Sequence, residues 1–178
     1  MVSDSILRAI SLEGKVAVIS GGGSGIGRGI ARKLAEAGAV IAVLDVDEES
    51  GPSTVAQLES KGVKAKFFHC DVRSNADCAA AAKGVVDAFG KIDILCNNAG
   101  VAMSGVTWEN SVSDWEWVLG VNLYGVVHGI RTFLPGMLDH GEPSAIVNTA
   151  SFAGLTSQPA MSVYGVSKHA VVTMTESL

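Results

Sequence analysis

Tyr164-Gly165-Val166-Ser167-Lys168, with Ser151 thirteen positions before the tyrosine, is the group of residues whose types and spacing could move a proton. A free phenol titrates near pH 10, about three units too high for work at neutrality. An ammonium close by favours the phenolate and draws that value down. Residues four apart on a helix share a face, so Tyr164 and Lys168 would point into one cleft. A serine hydroxyl arriving from a strand end could hold a carbonyl or alcohol oxygen beside the phenol. By itself the pair is weak, because an amphipathic helix with a half-buried tyrosine and a solvated lysine reads the same way.

The elements that would position such a group begin near the other terminus. Lys15–Ser20 is a short run of β-branched and apolar residues, the pattern of a buried parallel strand. Gly21-Gly22-Gly23-Ser24-Gly25-Ile26-Gly27 follows at once, and Ile26, Ile30, Leu34 and Ala37 then recur at helical spacing. Strand, glycine turn and helix start fall in the order a dinucleotide site needs. Glycines allow a tight turn and close approach to a pyrophosphate, and free N–H groups at the helix start meet its charge. The next strand, Ala39–Asp45, ends in a carboxylate eighteen residues past Gly27. Asp45 there can accept hydrogen bonds from the adenosine ribose hydroxyls and would repel a 2′-phosphate. No base directly follows Asp45, and Ser24 rather than a base precedes Gly25, so the pattern favours NAD over NADP. The alternative for Asp45 is an exposed aspartate opening a solvated, acidic helix start at Asp47, Glu48 and Glu49.

Length and charge narrow the classes. The 178 residues suit one domain, spanning 1–178, and the 48% apolar and 17% charged fractions suit a well-buried core. A net charge of −5 without long runs argues against nucleic acid or an anionic membrane as partner. No stretch is long and apolar enough to span a bilayer, and the start, with Asp4, Arg8 and Glu13, shows no leader pattern. Cys70, Cys78 and Cys96 are odd in number and lack a pairing motif, which suggests reduced thiols, a cytoplasmic setting and no metal site. His69, His128, His140 and His169 show no ligand spacing and read as surface or satisfied core histidines.

Elements alternate along the chain. Strands are predicted at Lys15–Ser20, Ala39–Asp45, Lys64–Cys70, Ile92–Asn97 and Ser144–Thr149. Helices are predicted at Ile26–Ala37, Glu48–Ser60, Asn75–Phe89, Ser113–Leu138 and Tyr164–Leu178. Such alternation predicts an α/β fold, a parallel sheet with helices on both faces. Gly38, Gly62 and Gly90 stand where left-handed helix C-caps are wanted, and Pro135 should kink or shorten the fourth helix. Three strand ends lead into Cys70-Asp71-Val72, Asn97-Asn98-Ala99-Gly100 and Thr149-Ala150-Ser151. In an open parallel sheet these loops border the ligand crevice on the same side as the glycine turn.

With these motifs in place, the chain resembles the short-chain dehydrogenase/reductase family, in its shorter oxidoreductase type. Ser20-Gly21-x-x-x-Gly25-Ile26-Gly27 matches the family's nucleotide motif, with Ser where Thr is usual. Asn97-Asn98-Ala99-Gly100 matches its central-strand motif, and Asn122, Ser151, Tyr164 and Lys168 match its catalytic tetrad in type and order. The resemblance runs from about Glu13 to the last residue. It implies a Rossmann-type doubly wound sheet of order 3-2-1-4-5. Tyr164 would be the general acid/base, with Lys168 lowering its pKa and bonding the nicotinamide ribose. Ser151 would orient the substrate oxygen, and Asn122 would hold a proton relay beneath the lysine. Gly21, Gly23, Ser24, Gly25, Ile26 and Gly27 would cradle the pyrophosphate. Asp71 and Val72 would flank the adenine, and Asn98, Ala99 and Gly100 would pass beside the adenosine ribose. Without the family, Asn122 reads as a helix-interior asparagine making a buried structural bond.

The sequence departs from the family in length. Members usually continue to about 250 residues, whereas this chain stops inside the helix bearing Tyr164 and Lys168. The last two strands, a substrate-covering loop and part of a homo-oligomer interface have no counterpart. The fifth strand is therefore expected to be a sheet edge. Each large side chain left bare there forgoes about 1.5–3 kcal/mol of burial, against about 5–15 kcal/mol of net stability for a domain. Three functions are compatible with these residues: an NAD-dependent dehydrogenase or carbonyl reductase, a nucleotide- or partner-binding fragment without turnover, and a lyase or epimerase using the same tyrosine. Val101, Ala102, Met103, Phe152, Leu155 and Met161 suggest an apolar alcohol or ketone as substrate. Trp108, Trp115 and Trp117 are expected near the rim of that pocket or in the core, with the core favoured.

Overall fold

Three runs of mostly apolar residues, Val16–Ser20, Val40–Asp45 and Ile94–Asn97, bury both faces and become the central parallel strands, because only a sheet covered on both sides removes such runs from water; Ala65–His69 and Ala145–Asn148 flank them and are partly exposed. In the computed structural model, which describes residues 11–178, these are β1 (Val16–Ser20), β2 (Val40–Asp45), β3 (Ala65–His69), β4 (Ile94–Asn97) and β5 (Ala145–Asn148). The reading of Asp4 and Arg8 lies outside the described residues. The sheet order is β3-β2-β1-β4-β5, as the family resemblance implied, with every pair parallel, as the alternation of elements predicted. Val16 aligns with Val40, Ile41 with Ala65, Ala17 with Ile94, and Ile94 with Ala145.

The helices α1 (Gly25–Glu36), α2 (Ser50–Glu59), α3 (Asn75–Phe89), α4 (Val112–Leu119), α5 (Gly125–Asp139) and α6 (Ser162–Glu176) fill the connections. Strand alternation sorts the core into two layers. Ala17, Ile19, Ile41 and Val43 pack with Ala31 and Ala35 of α1 and Leu58 of α2. Val16, Val18, Leu44 and Leu95 pack with Ala81 and Val85 of α3 and Phe133 and Met137 of α5. Val126 and Ile130 of α5 and Val171 of α6 form a smaller cluster with Ile146. β3 and β5 are the two edges of the sheet among the described residues, and Val147, on the opposite face of β5, is half exposed.

Two helix predictions need correction. The single helix expected over Ser113–Leu138 is divided: the backbone widens to one π-helical turn, Gly120–Tyr124, between α4 and α5. Apolar periodicity does not register one extra residue in a turn, and such turns concentrate where a side chain must be aimed. Pro135 does not end α5, which runs on to Asp139. Pro135 is exposed, so the carbonyl it leaves unpaired sits on the wet face of the helix. The glycine caps hold: Gly38, Gly62 and Gly90 have φ of 103°, 78° and 86°.

At the amino ends of β1 and β4 lies a charged knot. Asp93 is fully buried and accepts from Val16 N (2.9 Å), Lys15 Nζ (3.0 Å) and Lys91 Nζ (3.1 Å); Glu142 takes both lysines from outside. Burial pushes the Asp93 carboxyl up, but the Val16 N–H and the two ammoniums outweigh it and hold the group below the usual range. This knot fastens the sheet at the end opposite the loops that follow the strands' carboxyl ends.

Candidate active site

Gly21 follows β1 with φ +64°, and a Cβ there would lie 2.9 Å from Ala99 Cα, so only glycine fits between the β1 and β4 loops. A Cβ on Gly27 would overlap the Gly21 carbonyl oxygen. Ser24 caps α1 without a side-chain bond, and no acidic residue sits in the first turn. The first-turn N–H groups therefore remain available to an anion. Behind the turn, Arg28 Nε donates to Gly23 O (3.0 Å) and Thr54 Oγ1 (2.9 Å), and Thr54 Oγ1 donates to Gly23 O (3.0 Å). Sequence reasoning missed this brace, since Arg28 looks like an ordinary polar helix position.

Asp45 ends β2 beside that turn. Its Oδ2 accepts from Gly23 N (2.9 Å) and its Oδ1 from Asp47 N (3.1 Å). It forms no ion pair among the described residues, so its charge stays turned to the cleft. Asp47 accepts from the N–H groups of Glu49 and Ser50, which draws its carboxyl below the usual range. The acidic run thus lies in the turn before α2, which begins at Ser50 and has no acidic residue in its first turn, and not in a helix start as the sequence suggested.

The strand ends are tied together by side chains. Ser20 Oγ accepts from Asn98 N (3.0 Å) and Ala99 N (3.1 Å). Asn98 Nδ2 donates to Ser20 O (3.1 Å), and Thr149 Oγ1 donates to Asn98 Oδ1 (3.4 Å). The loops after β1, β4 and β5 are thus one network. After β3, Arg73 holds Asp71 through Nε (3.0 Å) and a terminal nitrogen (2.6 Å), and this pairing keeps the Asp71 carboxyl low. Val72 O lies 2.9 Å from His128 Nδ1; a carbonyl can only accept, so that nitrogen carries the proton.

Asn122 sits in the π turn, wholly buried. Its Oδ1 accepts from Val101 N (2.8 Å), and its Nδ2 donates to Val101 O (2.9 Å) and Ser167 Oγ (3.0 Å). Ser167 Oγ donates to Tyr164 O (2.7 Å). Lys168 is 4% exposed; its Nζ donates to Thr149 O (2.7 Å) and lies 5.8 Å from the centre of the Tyr164 ring. Burial draws the Lys168 ammonium below the usual lysine range. Ser151 Oγ accepts from Ala153 N (3.1 Å), opening a single 3₁₀ turn.

These elements enclose a cleft of about 870 Å³ over the carboxyl ends of the strands. Gly21, Ser24, Gly25, Ile26, Gly27, Asp45, Asp71, Val72, Asn98, Ala99, Gly100, Ser151, Tyr164 and Lys168 all line it. Gly23 and Asn122 do not; each supports the wall from behind. Ile26 is 70% exposed, so it serves the cleft and not the core stripe its spacing suggested. Of the apolar residues expected around a substrate, Val101 and Ala102 line the cleft, whereas Met103, Phe152, Leu155 and Met161 do not. Phe152 and Leu155 are 69% and 70% exposed. The favoured core placement of the tryptophans is corrected, while the rim placement holds for one: Trp108 is exposed, Trp115 half-buried, and Trp117 stands on the cleft wall. All three precede or lie in α4, at the surface, and a ring that large is seldom wholly enclosed. No helix among the described residues is long and apolar enough to cross a membrane.

Comparison with known proteins agrees with this geometry. Residues 15–178 match the short chain dehydrogenase family. The chain is 41% identical to momilactone A synthase of Oryza sativa subsp. japonica, over 95% of this chain and 61% of the relative. It is 36% identical to a CLA biosynthesis dehydrogenase/reductase of Lactiplantibacillus plantarum, over 92% of this chain and 57% of that one. Among solved structures, a short chain dehydrogenase/reductase from Burkholderia phymatum in complex with NAD superposes with a TM-score of 0.92 at 48% identity, covering 94% of this chain and 59% of the other. The chain thus spans about 60% of the length of the relatives it matches. Glycine turn, sheet order and the match over residues 15–178 agree, and the chain belongs to the short-chain dehydrogenase/reductase family.

Proposed function

We propose that this chain carries the cofactor-binding and proton-transferring part of an NAD-dependent oxidoreductase acting on an alcohol or carbonyl carbon. The observation that carries the proposal is one cleft lined by an uncapped helix start, an unpaired Asp45 carboxylate, and Ser151, Tyr164 and Lys168. A dinucleotide fits these residues: the turn between Gly21 and Gly27 receives the pyrophosphate, and Asp45 accepts from the ribose hydroxyls. Asp71, Val72 and Asn98 to Gly100 border its adenosine half. When bound, the nicotinamide accepts or donates the hydride. Tyr164 takes the proton from the substrate alcohol, or returns it to the carbonyl. Lys168 sets a positive charge beside the phenol, where it attracts a developing phenolate. Ser151 orients the substrate oxygen through the donor its hydroxyl retains. Asn122 acts at one remove, fixing Val101 and, through Ser167, the first turn of α6. Val101, Ala102, Trp117 and Val121 give the wall an apolar stretch that suits an apolar alcohol or ketone.

The test is NADH formation, followed by absorbance, with a panel of secondary alcohols. Tyr164→Phe should cut turnover by at least about 100-fold, the lower range for a positioned acid/base, and leave NAD affinity within about twofold. Near-normal turnover in that variant would refute the role given to the phenol. A second reading, a nucleotide-binding module without turnover, is favoured by the exposure of Phe152 and Leu155, which leaves the substrate end open. NAD binding with no turnover across the panel is the outcome that selects it.

A further inference from the structure

We propose that Cys70 and Cys78 form a dithiol whose oxidation to a disulfide weakens dinucleotide binding. The inference rests on the nucleotide reading of the cleft. The two Sγ atoms lie 3.9 Å apart, and both residues are almost wholly buried. Cys96 belongs to the core layer on the other face of the sheet, so it cannot join them. Cys70 is the first residue past β3 and lines the cleft; Cys78 is in the first turns of α3. Between them run Asp71 and Val72, the pair assigned to the adenine.

A disulfide requires about 2.05 Å between sulfurs, so bridging draws these two anchors together by nearly 2 Å. The core beneath is close-packed and resists that shift, which leaves the intervening loop to absorb it. Its present shape depends on Asp71 N donating to Asp77 Oδ2 (3.2 Å) and on a Cys78 Sγ contact to Val72 O (3.8 Å). Bridging removes the second outright, because the sulfur loses its hydrogen. Access decides the order of attack: Cys70 lines the cleft by which a peroxide arrives, and Cys78 does not.

The oxidant is a peroxide. The Cys70 thiolate attacks one peroxide oxygen, the O–O bond breaks, and a sulfenic acid and hydroxide form; the hydroxide takes up the proton Cys70 released. The Cys78 sulfur then displaces the sulfenic hydroxyl, which leaves as water with the Cys78 proton. In total two thiols and one hydrogen peroxide give one disulfide and two waters. The sulfurs lose two electrons, and the peroxide gains them. The cleft is the route to Cys70, so a bound dinucleotide shields the pair.

The experiment treats the purified full chain with hydrogen peroxide, with and without NAD, and maps the bridge by peptide mass spectrometry. NAD affinity is then measured by calorimetry before oxidation, after it, and after re-reduction. A Cys70–Cys78 bridge should form more slowly with NAD present and weaken NAD binding about tenfold, reversibly. By reciprocity, saturating NAD should raise the midpoint potential of the pair by about 30 mV. Cys78→Ala should keep NAD affinity within about twofold and lose the peroxide effect; should it fail to fold, the re-reduced wild-type chain is the control. Oxidation without this bridge, or a bridge with unchanged NAD affinity, overturns the proposal. A reduced chain that binds no NAD sinks the nucleotide reading and takes this inference with it.

Discussion

Asn122→Ala is the perturbation whose consequence can be worked most directly from the coordinates. The amide makes three hydrogen bonds of 2.8–3.0 Å from a site with no exposure, two of them to the backbone of Val101. Truncation orphans the Val101 N–H and C=O together. A buried polar group left unpaired costs about 1–3 kcal/mol, so the pair should cost about 2–6 kcal/mol. Val101 lines the cleft, and water can reach part of it, which places the expectation near the lower end, about 2–4 kcal/mol. Against net stability of about 5–15 kcal/mol, that is a large fraction. Urea titration followed by tryptophan fluorescence should show a lower midpoint at an unchanged slope. Ser167→Ala removes the third bond together with the hydroxyl's bond to Tyr164 O, but it leaves both Val101 groups paired and should cost less. A loss below about 0.5 kcal/mol for Asn122→Ala, a surface-like value, would show that these bonds do not hold the loop, and the support assigned to Asn122 behind Tyr164 and Lys168 would fail with them.

Asp45→Ala should weaken NAD binding and narrow the NAD/NADP preference, because it removes both the ribose acceptor and the partner of Gly23 N; an unchanged ratio by calorimetry counts against the ribose contact. Gly27→Ala places a Cβ 2.7 Å from Asn98 Nδ2, so the glycine turn must move, and NAD affinity should fall at least about tenfold with helix content by circular dichroism unchanged. Asp93→Asn should cost about 1–3 kcal/mol at neutral pH. The folded pKa of Asp93 lies below its unfolded value, so its stabilisation is complete above about pH 4 and is lost as pH falls through the folded value. The gap between wild type and variant in urea titrations should therefore narrow below about pH 4; a gap that widens there contradicts the ion-pair account.

How much of this was legible in the chain depended on which signal each residue carried. The sheet was legible because runs such as Val16–Ser20 and Val40–Asp45 are apolar on both faces, and their alternation with helices restricts the connections to a parallel order. The glycine turn was legible because a positive φ and a close approach leave few other residues possible at Gly21. The π turn was not, since helical spacing looks the same on either side of it. Nor was the brace of Arg28 and Thr54 on Gly23 O: it joins two helices through polar side chains 26 positions apart, which give no periodic trace. The tryptophans misled because hydrophobicity was read as depth; Trp108 and Trp117 sit on segments that face outward.

The cleft is largely organised before any ligand enters. Ser20, Asn98 and Thr149 bind one another across three strand ends, and no buried side-chain nitrogen or oxygen among the described residues lacks a partner. Ordering these loops is therefore a cost of folding and not of binding, which leaves more of each ligand contact as affinity. Lys168 is the telling case. An ammonium has three N–H donors, and Thr149 O accepts only one of them. Desolvation already presses against its charge, so an acceptor delivered from the cleft would relieve that penalty and gain a charge-assisted hydrogen bond at once. A solvated lysine, hydrogen-bonded to water before the ligand arrives, has no such penalty to relieve. On the proposed cofactor reading, the burial that looks like a cost in the free chain would favour a ligand that brings oxygen acceptors to the Lys168 ammonium.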